Sequence, residues 1–321
     1  MTEKRKITWT TPWLVASLAL LCSALWGSAF PAIKIGYQLF QISADAVGSQ
    51  LLFAGCRFIL AGFMTIVLGS FLQRKPLLPQ KQSWKKIFHL AMLQTALQYF
   101  FFYIGLAHTS GVKGSIIVGT NSLIAILLAS LLFRQEILTP RKLCGCILGL
   151  LGVIIANLSS EQISFDYHWL GEGFVFLSVL SYGFSSVVIK IYSKQENPVL
   201  LSGYQFILGG FILLLCGVCL GGKFTTVNPA ALAILGYLAL LSAIAYTLWG
   251  GLLKYNSVSR VAIYGFMNPV IGVILSALLL QENAQAFQWK NIIALLLVSA
   301  GIYVVNRVKT RDSIYDDNDK E

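Results

Sequence analysis

WGSAFPAIK, residues 26–34, returns as YGFSSVVIK at residues 182–190, with an aromatic-Gly start, an apolar body and a closing lysine in both. Further matches follow in the same order. FAGCRFILAGF from Phe53 pairs with LSGYQFILGGF from Leu201, and the block ending in Gln135-Glu136 pairs with the one ending in Gln281-Glu282. The offset drifts from 156 to 148 to 146 residues along the chain, as small loop deletions in a duplicated unit would leave it. The chain therefore reads as two copies of one module, residues 13–160 and 169–307, followed by a polar tail at 308–321 that is expected to be disordered and cytoplasmic.

Around this repeat the composition is that of a membrane. Of 321 residues, 56% are hydrophobic and 12% charged, about half the charge of an ordinary soluble chain. Apolar runs of roughly 20 residues recur, each long enough to cross a ~30 Å hydrocarbon core as a helix. Spans are predicted at about 13–37, 49–72, 86–107, 112–133, 142–158, 169–191, 199–220, 229–253, 261–280 and 289–306. Lys4, Arg5 and Lys6 precede a charge-free run from Ile7 to Ile33, which is too long for a secretory signal and reads as the first span.

Lys and Arg fall unevenly on alternate connections. One side holds Lys4 to Lys6, Arg74 to Lys86, Arg134 to Lys142, Lys194, Lys254, Arg260 and the basic residues of the tail, whereas the other holds Lys113, Lys223 and Lys290. The basic side is cytoplasmic by the positive-inside rule, and both termini lie there. Five helices per copy is an odd number, so the second copy is inverted. The expected fold is an all-α integral membrane protein of ten transmembrane helices, built as two inverted five-helix repeats and seated in the plasma (inner) membrane.

Several functions are excluded on composition and motif. The net charge of +11 is spread over short connections and not gathered on one face, which argues against nucleic acid. Cys22, Cys56, Cys144, Cys146, Cys216 and Cys219 lie in or at the ends of apolar runs, where cysteine packs as a small apolar residue. No metal or other cofactor is implied. The sequence has no GxxxxGK[ST] phosphate loop, HExxH or nucleophile elbow, and His89, His108 and His168 fall near helix ends without acid or nucleophile partners. The chain reads as not an enzyme.

Charge inside the spans is confined to a few positions. Lys34 and Lys190 can snorkel to an interface, and Glu172 suits the positive end of its helix. Arg57 is deeper, and two readings stay open for it: a structural lock or an anion contact. Glu136 and Glu282 close matching helices at the interface and read as anchors. Uncharged polar and aromatic residues offer a better lining. Tyr99 and Tyr103 share one face of the third helix, and Ser242, Tyr246 and Trp249 share one face of the eighth. Gln94 and Gln98 form an amide pair on another face of the third helix, while Asn121 and Asn268 sit mid-helix in the fourth and ninth. Pro31 interrupts the first helix and Pro269 the ninth, each freeing a backbone carbonyl. Gly145 and Gly149 make a GxxxG that supports close packing and leaves a homodimer open.

WGSAFPAIK, RFILAG from Arg57, GLAHTSG from Gly105, LLASLLFRQE ending at Glu136, and KYNSVSRVAIYGFMNPVIGVILSALLLQE from Lys254 to Glu282 together resemble the EamA branch of the drug/metabolite transporter superfamily. The resemblance covers about residues 13–307. It implies a fold in which helices 1, 3, 4, 6, 8 and 9 surround a central cavity while 5 and 10 pack outside, and substrates such as amino acids, nucleosides or sugar derivatives. The proline that the family often has in the fourth helix is replaced here by Ser122, which removes the expectation of a kink in that half.

These readings converge on a secondary transporter working by alternating access on a small molecule within the lipid bilayer. An amino acid or other small amphipathic solute, moved outward, fits best. The expected lining is the rings of Trp26, Tyr99, Tyr103, Tyr182, Tyr246 and Trp249 with the amides of Asn121 and Asn268. Other readings are a multidrug or organic-cation exporter of the same fold, a non-transporting scaffold or sensor, and an embedded enzyme.

Overall fold

The computed structural model describes residues 8–109, 111–157, 168–279 and 289–307. Regular structure among these residues is entirely helical. In chain order α1 is Pro12–Phe40, α2 Val47–Leu72, α3 Ser83–Ala107, and α4 the succession Gly111–Gly119, Asn121–Leu127 and Leu128–Leu132. They are followed by α5 Pro140–Asn157, α6 Trp169–Ser193, α7 Pro198–Cys219 and α8 Pro229–Tyr255. The last two are α9, comprising Val258–Ala262, Ile263–Phe266 and Met267–Leu279, and α10 Trp289–Asn306. Six of them, α1, α2, α3, α6, α7 and α8, are long and apolar enough to cross a membrane, and the others are shorter apolar helices.

Starts and stops follow local chemistry. α7 and α8 both open on Asn-Pro, where the Asn197 and Asn228 side chains accept from Val199 N and Ala231 N and the proline occupies the first turn, where no N–H is needed. α1 ends on Gln41 in the left-handed region at φ 54°, its N–H returning to the Gln38 and Tyr37 carbonyls. Pro31 does not break α1, which runs through it over 29 residues; the ring only deprives the Gly27 carbonyl of its usual donor.

Packing is set by small residues. α2 lies along α7 on a seam of glycines spaced seven apart, Gly48, Gly55, Gly62 and Gly69 against Gly203, Gly210 and Gly217. A Cβ on Gly55 would stand 2.6 Å from Leu214 N, and one on Gly62 2.6 Å from the Gly203 carbonyl, so these backbones touch. α5 and α10 form a second close pair through Gly145, Gly152 and Gly301. Gly149, the other half of the GxxxG, faces Phe266 of α9, so the motif is used inside the chain. α1 sits between α8 and α9.

Alternate connections meet at opposite ends. At the basic end Glu196 binds Lys86 at 3.0 Å and Ser83 at 2.9 Å, and Asn197 donates to Gln73. The Glu136 carboxylate, buried there with Lys142 at 3.2 Å, also accepts from Ser259 N and Oγ and so ties the α4–α5 connection to the start of α9. The N-terminal segment lies on the α8–α9 joint: Asn256 Nδ2 donates to Trp9 O, Arg260 donates to Thr10 O, and the Trp9 ring stacks on Tyr255. At the other end, Glu172 of α6 pairs with Lys113 at 3.0 Å and accepts from Thr109 Oγ1 and His168 N. α1 thus starts at the basic end and α6 at the opposite one. Glu282 lies outside the described residues.

Candidate functional site

A chain of rings joins the two halves. Trp26 of α1 packs edge-on to Tyr246 and Trp249 of α8 at centroid distances of 5.1 and 5.0 Å. Tyr246 meets Phe206 of α7 at 4.9 Å, Phe206 stacks on Phe58 of α2 at 5.2 Å, and Phe58 lies 4.6 Å from Tyr99 of α3. The loop closes where the Tyr99 and Tyr246 hydroxyls hydrogen-bond at 3.1 Å. Tyr103, one turn along α3, lies 6.1 Å from Tyr99. Tyr182 of α6 is half-buried near Tyr99, Tyr246 and Cys22. Spacing explains the convergence, since residues three or four apart on a helix share a face.

Two broken helices face each other beside this cluster. In α9 a 3-10 turn at Ile263–Phe266 precedes Asn268-Pro269. In α4 the break is at Thr120, whose N–H and Oγ1 both return to the Ile117 carbonyl, three residues back, before Asn121 starts the next segment. The break expected to vanish with the proline is therefore present, made by threonine self-capping. The two breaks touch, because a Cβ on Gly265 would come 2.6 Å from Ser122 Oγ. Asn121 and Asn268 flank this contact.

Polar atoms here are buried and lack hydrogen-bond partners among the described residues. They are the indole nitrogens of Trp26 and Trp249, the Tyr37 and Tyr103 hydroxyls, and the amide oxygens of Gln98, Asn121 and Asn268. Each such group left bare costs about 1–3 kcal/mol. Seven of the twelve such atoms among the described residues lie on or beside this cluster, the others being on Ser130, Gln135, Ser193, Ser202 and Asn256, and seven together mark a place arranged to meet polar groups from elsewhere.

Arg57 of α2 is 2% exposed and donates through Nε and Nη2 to Ser242 Oγ at 3.2 and 2.9 Å, with its guanidinium 5.0 Å from the Phe58 ring. This fastens α2 to α8. The other polar positions divide clearly. Gln94 locks with Gln205 and Thr95 into a buried amide–hydroxyl group between α3 and α7. Lys190 donates to Asn256 O at the basic end, and Lys34 is exposed, so neither joins the cluster. All six cysteines are free thiols.

Sequence reasoning missed Tyr37, Phe58 and Phe206. Tyr37 had a signal: eleven residues is about three helical turns, which puts it on the Trp26 face of α1. Phe58 and Phe206 had none, being two apolar residues in apolar helices.

With this geometry in view, the relatives are informative. The model of the EamA-like transporter family matches residues 13–158 and again 169–307. A protein of Synechocystis sp. named "Uncharacterized transporter" is 27% identical over 88% of this chain and 87% of its own length. One of Escherichia coli K12 named "Probable amino-acid metabolite efflux pump" is 25% identical over 89% of this chain and 93% of its own. A solved crystal structure superposes with a TM-score of 0.73 at 16% identity, over 92% of this chain and 98% of that one, which shows a shared fold. Two family matches spanning nearly the whole helical chain leave one conclusion: the protein belongs to the EamA-like transporter family of the drug/metabolite transporter type.

Proposed function

We propose that the chain is a secondary transporter moving an amino acid or similar small amphipathic solute outward across the plasma (inner) membrane by alternating access. Its helices make ten spans in two inverted five-helix repeats, residues 13–160 and 169–307, with both termini cytoplasmic. Support for the inversion comes from α1 starting at the basic end and α6 at the other. The observation that carries the reading is the convergence of partnerless polar atoms of Trp26, Tyr103, Asn121, Trp249 and Asn268 from both repeats onto one aromatic cluster. Rings supply an apolar bed, indoles and phenols donate, and amides orient polar groups. Among the described residues no carboxylate pairs within that cluster, which favours neutral or zwitterionic solutes over cationic drugs. The relative named as an amino-acid metabolite efflux pump points the same way.

The test is flux in proteoliposomes against a panel of amino acids, nucleosides and organic cations. Saturable movement of amino acids, lowered at least tenfold in an Asn121→Leu, Asn268→Leu double variant that keeps its folded yield, is expected. No saturable flux of any class overturns the reading, and flux of organic cations alone overturns the substrate class.

A further inference from the structure

We propose that Arg57, Tyr37 and Tyr103 form an oxyanion-binding subsite, so that the solutes recognised carry a carboxylate or a like anionic group. The inference rests on the transporter reading above and names the chemistry that its site selects.

A guanidinium buried in a membrane span is costly unless a counter-charge meets it. The three ion pairs among the described residues, Lys86–Glu196, Lys113–Glu172 and Lys142–Glu136, all lie at the ends of the bundle, and no described carboxylate reaches Arg57. What Arg57 has is a neutral hydroxyl and a ring. Ser242 Oγ accepts from both Nε and Nη2 and donates its own O–H to the Leu238 carbonyl at 2.7 Å. Nη1 makes no hydrogen bond to any described residue. Tyr37 and Tyr103 come near this guanidinium and one another from α1 and α3, their hydroxyls buried and without a well-formed hydrogen bond to any described residue.

A lock between α2 and α8 accounts for the Ser242 bonds. It does not account for two buried phenols near the same guanidinium that face one another without a well-formed hydrogen bond. Arg57 Nη1 and the two O–H groups put three donors and a full positive charge into one buried neighbourhood, and the ligand that uses all three is an oxyanion, which accepts at each oxygen. Position adds a constraint. Ser242 is seven residues before Trp249, so Arg57 sits about 10 Å along α8 from the Trp26–Trp249 contact, with Tyr99 and Tyr246 between. A carboxylate held at Arg57 lays the apolar body of a small solute on those rings.

The experiment compares 3-phenylpropionate with 3-phenylpropionamide, matched in shape and differing in charge, by tryptophan fluorescence of the full-length protein in detergent. The acid is expected to bind at least tenfold more tightly than the amide. Arg57→Gln should bring the ratio near one, and Arg57→Lys, which keeps the charge, should retain part of it. Tyr103→Phe keeps the ring and should lower acid affinity several-fold with little change for the amide, which covers an Arg57→Gln protein that does not fold. Equal binding of acid and amide, no acid binding at millimolar concentration, or a preference that survives Arg57→Gln or is unmoved in Tyr103→Phe overturns the subsite. Acid binding without flux of any solute keeps the subsite and removes the transporter reading, whereas saturable flux with no acid preference does the reverse.

Discussion

Trp249 is 3% exposed, yet its indole N–H meets no acceptor among the described residues. Phenylalanine in its place keeps an aromatic ring and removes the donor, at the cost of the volume of the lost second ring. Trp249→Phe is expected to fold with a somewhat lowered thermal midpoint while flux falls about tenfold, the value of one lost hydrogen bond of roughly 1.4 kcal/mol. Unchanged flux in proteoliposomes would make the indole a packing residue. Glu136 is the opposite kind of residue, with its carboxylate fully engaged by Lys142 and Ser259. Glu136→Ala strands a buried ammonium and should destabilise the folded protein by about 3–5 kcal/mol, read as a lowered unfolding temperature in detergent.

Helices α2 and α7 approach so closely that the seam tolerates no side chain. Gly55→Ala is expected to abolish folded protein in detergent, because the added methyl would stand 2.6 Å from Leu214 N. Gly236→Ala meets nothing within 4 Å and should be neutral or stabilising by up to about 1 kcal/mol from helix propensity. Size-exclusion profiles of the two variants compare them directly, and equal profiles would dismiss the seam. The six long apolar helices were legible because apolar length is a local property of the chain. The seam was not, although its seven-residue period stands in the sequence, because glycines in an apolar helix acquire meaning only from the partner facing them. The break at Thr120 was hidden for a similar reason. Proline announces a kink, whereas threonine makes one only when its hydroxyl turns back on the Ile117 carbonyl. Within the site, faces of single helices such as Tyr99 with Tyr103 and Tyr246 with Trp249 could be read, while Phe58 and Phe206, which bridge them, could not.

Across the whole molecule, the basic end and the opposite end should face different compartments. In a background where the exposed Cys144 and Cys219 are replaced by serine, Gln80→Cys is expected to react with an impermeant thiol reagent only from the cytoplasm, and Ala44→Cys and Thr225→Cys only from outside. Labelling of Gln80→Cys and Ala44→Cys from the same side would refute the ten-span topology. The N-terminal segment on the α8–α9 joint bears on how such a chain is made. Trp9 and Thr10 leave the ribosome well before their partners Asn256 and Arg260, which follow 247 and 250 residues later. At about 5–20 residues per second, that delay is on the order of tens of seconds. For that interval the nascent protein is a half-built bundle whose basic end has no bolt, so the Trp9–Tyr255 stack can be made only after the chain has emerged through the end of α8.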